Sequence, residues 1–143
     1  IGGGHLNKAT AHGATVPGGS YNEATAASAA IGGGNCNFST ATCSTVVGGK
    51  SGCATAVNAT VLGGLNNRAA GACSVVGGDN NCSSHTGGHI LGSNTNSISA
   101  HAFHTNRLFL SAGALLTSDP GIAGQVYLSG GGAAGYALMI SNP

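Results

Sequence analysis

Seven times in this chain a β-branched residue stands two positions before a glycine. These residues are Ile1, Val16, Ile31, Val46, Val61, Val75 and Ile90, spaced 15, 15, 15, 15, 14 and 15 apart. The matching glycines are Gly3, Gly18, Gly33, Gly48, Gly63, Gly77 and Gly92, and a second glycine follows in every coil but the last, where Ser93 stands. Counted from each opening residue, the seventh position reads Asn7, Asn22, Asn37, Gly52, Asn67, Asn81 and Asn96. A period this strict requires one coil of chain stacked on the next, since no single coil can bury its own apolar residues.

The coil carries two kinds of local signal. The ninth position is Ala9, Ala24, Ser39, Ala54, Ala69, Ser83 and Ile98, and the eleventh is Ala11, Ala26, Ala41, Ala56, Gly71, His85 and Ala100. Between them the tenth carries Thr10, Thr25, Thr40, Thr55, Ala70, Ser84 and Ser99. Alternation of small and polar residues with period two predicts a strand, small side chains inward and hydroxyls outward. A second short strand is predicted through the opening Val or Ile. Gly and Asn tolerate left-handed backbone, so the Gly-Gly and Asn positions are predicted to be corners, with stacked Asn side chains forming a hydrogen-bonded ladder. The expected fold is all-β: a parallel β-solenoid of about seven 15-residue coils over residues 1–104. Residues 105–143 are expected to form a β-rich cap or terminal module, with QVYLS and YALMIS as a hairpin. Ile98 and Phe103 are larger than their counterparts in earlier coils and are expected to plug the open end, which would otherwise be an exposed sheet edge.

Composition narrows the functional classes. Charged residues make up 5% of the chain, aromatics 4%, and the formal net charge is +1. Without a basic patch or an aromatic stripe, nucleic-acid binding is not expected. No apolar run is long enough to span a bilayer, so no membrane insertion is expected. Residue 1 already sits inside the repeat, as expected of a fragment, a processed chain, or a longer protein. Each coil buries about one Val or Ile and a few Ala-sized groups, which is little against the entropy of ordering fifteen residues. Further burial between chains is therefore expected, and a parallel homotrimer is the expected arrangement.

Candidate sites are few. Glycan-cleaving sites need paired carboxylates, and the chain has three acids, Glu23, Asp79 and Asp119. The first two lie four coils apart and the third sits in a turn, so no catalytic residue is assigned. No G-x-S-x-G elbow is present, and no acid stands near the histidines to orient one. His85, His89, His101 and His104 cluster near the end of the repeat. Alignment on the opening residues places His89 and His104 in one fifteenth-position file, the candidate metal column; the alternative is a polar file continuing Thr15, Thr45, Thr60 and Ser74. Cys36, Cys43, Cys53, Cys73 and Cys82 lack zinc-ligand spacing. Cys53 and Cys82 share the eighth position two coils apart, roughly 10 Å and too far for a disulfide. Free thiols are expected, and no cofactor. The eighth position varies most: Lys8, Glu23, Phe38, Cys53, Arg68, Cys82 and Ser97. Such an exposed edge is where adhesive contacts could lie.

The pattern [V/I]-x-G-G-x-x-N-x-A-x-A/G, as in VPGGSYNEATA and VLGGLNNRAAG, resembles repeats of trimeric fibrous proteins: phage tail fibres and the heads of trimeric autotransporter adhesins. GGHILGSNTNSISAHAFHTNRLFL (residues 87–110) resembles the exit from such repeats in tail-fibre proteins. LLTSDPGIAGQVYLS (residues 115–129) is similar to a segment near the C-terminus of many phage virion proteins. The resemblance implies a non-enzymatic structural fibre protein of the phage virion, assembled in the host cytoplasm. Its implied partners are other virion proteins and a host cell-surface receptor or glycan. An adhesin head on a bacterial surface is the alternative. Asn-cornered coils with outward Thr also resemble some plant ice-binding proteins, a third reading.

Overall fold

The computed structural model describes residues 1–97, 99–105, 126–132 and 135–140. The chain divides into two compact units, Ile1–Arg107 and Leu108–Pro143. In the first, short strands alternate between two parallel sheets. One sheet stacks β1 (Lys8–Ala9), β2 (Glu23–Ala24), β4 (Phe38–Ser39), β6 (Cys53–Ala54), β8 (Arg68–Ala69) and β10 (Cys82–Ser83). The other stacks β3 (Ala30–Ile31), β5 (Thr45–Val46), β7 (Thr60–Leu65), β9 (Val75–Asp79), β11 (His89–Ser93) and β12 (Phe103–Thr105). The unit is an all-β solenoid of about six turns, each strand pairing with its counterpart one coil away. In the second unit β13 (Val126–Gly132) and β14 (Gly135–Ile140) pair antiparallel, the hairpin expected from QVYLS and YALMIS.

Four inward files make the core. The first is Val16, Ile31, Val46, Val61, Val76 and Ile90, all fully buried. The ninth position supplies Ala24, Ser39, Ala54, Ala69 and Ser83, and the fourteenth supplies Ala29, Ser44, Ala59 and Ser74. The fourth file is the Asn file, with Asn22, Asn37, Asn67 and Asn81 at no more than 1% exposure. The space between the sheets is narrow enough that Ser39 Oγ lies 2.7 Å from Ser44 Oγ across it. Small side chains are required there because larger ones would separate the sheets and break both ladders. The eleventh position, expected inward, is half-buried at Ala11, Ala26, Ala41 and Ala56, in a turn closed by bonds such as Ala14 N–H to Ala11 O, 3.0 Å, and Ala26 and Ala56 pack against the core from there.

The Asn carboxamides connect the coils. Asn22 N–H donates to Asn7 Oδ1 (3.0 Å), Asn37 N–H to Asn22 Oδ1 (3.1 Å), and Gly52 N–H to Asn37 Oδ1 (2.8 Å). Asn37 Nδ2 donates to the Gly33 carbonyl of its own coil (2.9 Å) and to the Gly49 carbonyl of the next (3.0 Å). One short side chain with a paired donor and acceptor thus serves three backbone groups that point into the core. The Asn residues are not the left-handed corner residues. The positive φ falls one position earlier, at Leu6, Tyr21, Cys36, Ser51, Asn66, Asn80 and Asn94 (51° to 58°). The fourth-position glycines do turn left-handed, with φ near 90° at Gly19, Gly34, Gly49 and Gly64. A Cβ at Gly19 would strike the Gly34 carbonyl oxygen, so close stacking as well as φ demands glycine there.

The register corrects the sequence alignment over the last coils. Val61 pairs with Val76, not Val75, and Gly63 pairs with Gly77, leaving Leu62 as a bulge. Coil six therefore lacks the residue between its inward Val and its glycine, and the stack continues with a spacing of 14: Val76 pairs with Ile90, and Ile90 with His104. The ladder arriving from Ser74 sets the register before the glycine corner is reached, so the missing residue is absorbed where the backbone is most adaptable. The Thr95 N–H, not that of Asn96, then donates the ladder bond to Asn81 Oδ1 (2.9 Å), and Asn96, not Ser97, follows Cys82 in the eighth file. Ser97 is buried in the ninth file in place of Ile98, which lies outside the described residues. Phe103 pairs with His89 and is 55% exposed, so it does not plug the core.

Gly52 interrupts the Asn file, leaving the Asn67 N–H without a carboxamide acceptor from coil four. A Cβ at Gly52 would sit 3.1 Å from Asn37 Oδ1 and 3.2 Å from a methyl of each of Val46 and Val61, contacts between side-chain atoms that small shifts of all three neighbours relieve. Gly52→Asn should raise stability by about 1 kcal/mol, whereas Asn37→Ala should cost about 3 kcal/mol by orphaning several buried groups. Chemical denaturation of the two variants checks both signs. The buried Ser74 Oγ finds no hydrogen-bond partner among the described residues, while Ser44 Oγ bonds Ser39 and the Ala41 carbonyl (2.6 Å). Ser74→Ala should therefore stabilise by about 1 kcal/mol and Ser44→Ala should destabilise, a contrast that paired thermal melts would read.

Candidate functional site

The outward residues of the first three coils form the most distinctive surface of the solenoid. Each ladder Asn is preceded by a left-handed residue whose side chain leaves the core, and each is followed by an outward strand residue. In coils one to three these are Leu6 and Lys8, Tyr21 and Glu23, and Cys36 and Phe38. The two outward files wall a groove of about 480 Å³ running along the stack, with Asn7 and Asn22 lining it between them. Leu6, Tyr21 and Phe38 remain 62%, 49% and 38% exposed. The His5 and Tyr21 rings meet edge to face with centroids 5.3 Å apart. Lys8 Nζ stands 3.5 Å from Glu23 Oε2, one coil away in the same ladder.

In later coils the same positions carry Ser51, Asn66, Asn80 and Asn94, and Cys53, Arg68, Cys82 and Asn96, so the aromatic character is confined to one end. Left-handed backbone costs an ordinary L-residue about 1–2 kcal/mol, and Asn less because its side chain bonds locally. Coils five to seven use Asn at this corner. Leu6 and Tyr21 occupy it (φ 51° and 57°) without that relief.

A second apolar surface lies on the other sheet. Val47 and Leu62 occupy the outward second position, Leu91 pairs with Gly77 beside them, and all three are about half exposed. Leu62 and Leu91 converge over Gly77, where coil six lacks its own residue, and a Cβ on Gly77 would be 3.3 Å from Leu91 Cδ2 and 3.4 Å from Leu62 Cβ. The bare glycine backbone around them leaves a shallow depression of about 500 Å³.

The residues singled out in the sequence do not converge. His89 lies in the outward file beside Val75 and Phe103, whereas His104 continues the inward Val/Ile file, so the proposed His89–His104 column does not exist. The file expected to run through Thr15, Thr45, Thr60 and Ser74 passes through Val75 instead, and Ser74 is buried. Among the described residues no group of three His, Cys, Asp or Glu side chains is placed to hold a metal ion. His85 Nδ1 is 2.9 Å from Ser97 Oγ, which also accepts the Ser84 N–H (3.0 Å). With its oxygen already accepting a backbone N–H and its surroundings buried, Ser97 serves the ladder. Glu23 faces Lys8, and Asp79 Oδ1 accepts the Leu65 N–H (3.0 Å). Asp119 lies outside the described residues.

The five cysteines are free, and Arg68 separates Cys53 from Cys82 in the eighth file. Burial pushes the Cys53 thiol up from its ordinary pKa, and the Arg68 guanidinium offsets part of that. The sequence reading recognised the eighth-position edge but overlooked the sixth, although Leu6, Tyr21 and Cys36 immediately before an inward Asn are the signal.

Compared with protein-family models and with curated proteins, the chain matches none at a significant level. Among the described residues no helix is long and apolar enough to cross a membrane.

Exposed Cys43 and Cys73 should react with iodoacetamide before Cys53. The Cys53 rate should rise only at higher pH, and Arg68→Ala should shift that rise further upward. Mass-spectrometric mapping across pH tests this order; Cys53 reacting first at neutral pH would contradict it.

Proposed function

We propose that this chain is a non-enzymatic structural fibre protein of a phage virion, acting in host attachment as a parallel homotrimer. The observation that carries the reading is the division of labour along the stack. The inward files repeat from coil to coil, while the outward eighth position runs through Lys8, Glu23, Phe38, Cys53 and Arg68 over the first five coils. A solenoid of this kind can vary its surface without disturbing the fold, the property an appendage needs. The resemblance of residues 87–110 and 115–129 to tail-fibre and virion segments supports the same assignment.

The second-position face supports assembly with further copies of this chain. Val47, Leu62 and Leu91 form an apolar line on one sheet, and the adjacent glycines allow another backbone to approach closely. In a parallel arrangement around one axis this line meets its own equivalents, and it adds the burial that a thin solenoid lacks. The outward Thr10, Thr25, Thr40 and Thr55 file breaks at Ala70, so the surface offers no continuous hydroxyl array for ice.

Analytical ultracentrifugation should give three times the 13.5 kDa chain mass, and Leu62→Asp with Leu91→Asp should shift the protein to monomer. Antibody labelling of the native particle should place the chain on its tail. A folded monomer as the native species, or labelling absent from the virion, would overturn the reading.

A further inference from the structure

We propose that the groove walled by Leu6, Tyr21 and Phe38 binds a pyranose ring of a carbohydrate chain, with Lys8 and Glu23 as its polar contacts. The inference deepens the attachment reading and rests on it for its biological setting, but not for its chemistry.

Three observations converge. The first is composition: within the described solenoid, aromatic rings and opposite charges meet in this groove, and the equivalent positions of later coils are small or polar. The second is backbone geometry. Leu6 and Tyr21 hold a left-handed conformation (φ 51° and 57°) at a corner where coils five to seven place Asn. A chain that meets this corner cheaply elsewhere retains costlier residues here, and strain kept at an exposed position points to a role for the side chains. The third is the character of the walls. Lys8 Nζ and Glu23 Oε2 lie 3.5 Å apart, an adjacent donor and acceptor with no net charge.

A pyranose ring matches that surface. Its C–H face is apolar with a slight positive character and packs on the negative face of an aromatic ring, while its hydroxyls donate and accept at the rim. Lys8 would donate to a hydroxyl oxygen and Glu23 would accept a hydroxyl proton, each as a charge-assisted bond. The groove runs along the stack, so a polymer can enter and leave it. Other ligands fit less well. A phosphate or nucleic-acid strand needs unpaired cations, and the lysine here is already matched by Glu23. The groove also lies on the side of the Lys8–Ala9 and Glu23–Ala24 sheet, away from the Val47, Leu62 and Leu91 line, so assembly through that line leaves it open.

The test is binding of the full chain to an array of neutral oligosaccharides, with Tyr21→Ala, Phe38→Ala and Glu23→Gln as variants and Val57→Ser as an exposed control. Circular dichroism melts matching the native chain establish that each variant folds. The expected result is binding to at least one oligosaccharide, weakened at least tenfold by Tyr21→Ala and by Phe38→Ala, weakened by Glu23→Gln, and unchanged by Val57→Ser. No binding by the native chain, or binding indifferent to both aromatic substitutions, would overturn the proposal. Adsorption of the same proteins to a panel of bacterial strains separates the two readings. Adsorption that survives both aromatic substitutions sinks the groove and leaves attachment standing. Groove-dependent oligosaccharide binding without adsorption to any strain supports the groove and removes attachment.

Discussion

The interaction on which this structure depends is the carboxamide ladder at the seventh position. A chain that turns a corner every few residues directs backbone N–H and C=O groups into a space too narrow for water. Asn solves this with one acceptor and two donors on a short stem, linking each coil to the next and each glycine corner to its own coil. The bonds Asn22 to Asn7, Asn37 to Asn22 and Gly52 to Asn37 are successive rungs of one device. The apolar files contribute burial, but Val, Ile and Ala alone would not specify where the chain bends.

The ladder explains why the interior is monotonous. Files of Val or Ile, Ala or Ser, and Asn lie above one another at strand spacing, and any residue that widened one coil would break bonds to both neighbours. Where Ser replaces Ala inside coil three, Ser39 and Ser44 complete each other across the core, whereas the buried Ser74 faces Ala69 and is left without a partner among the described residues. Outside, nothing comparable constrains the chain. Adjacent outward positions carry Lys8, Glu23 and Phe38, and their differences cost the ladder nothing. Rigidity within and freedom without come from one arrangement, and a fibre or adhesive surface draws on both.

Much of this was legible in the sequence, because a repeat displays its files directly. The spacing from Val16 to Val61 revealed the stack, the alternation around Ala9 and Thr10 revealed the outer strand, and the recurring Asn suggested its own ladder. Legibility failed where two residues competed for one place. Val75 and Val76 are both β-branched, and spacing to Gly77 favoured Val75. Hydrogen bonds from the preceding coil favour Val76, and those bonds are invisible to a count of intervals. The same competition recurs in coil seven, where Leu91 rather than Gly92 pairs with Gly77, and from that shift came the misplacement of Asn96, Phe103 and His104. The groove was half legible: the variable eighth position was recognised, but the left-handed conformation that turns Leu6 and Tyr21 outward is a property of backbone that neither residue type announces.

The central claim is that successive coils are joined in register by Asn side chains, and amide hydrogen exchange tests it most directly. The backbone amides of Asn22, Asn37, Gly52 and Asn81 each donate to the carboxamide one coil earlier. Gly52 denies Asn67 that acceptor. Exchange followed residue by residue in the native protein should be slow at the first four and distinctly faster at Asn67. Equal protection at all five, or rapid exchange throughout the file, would contradict the account.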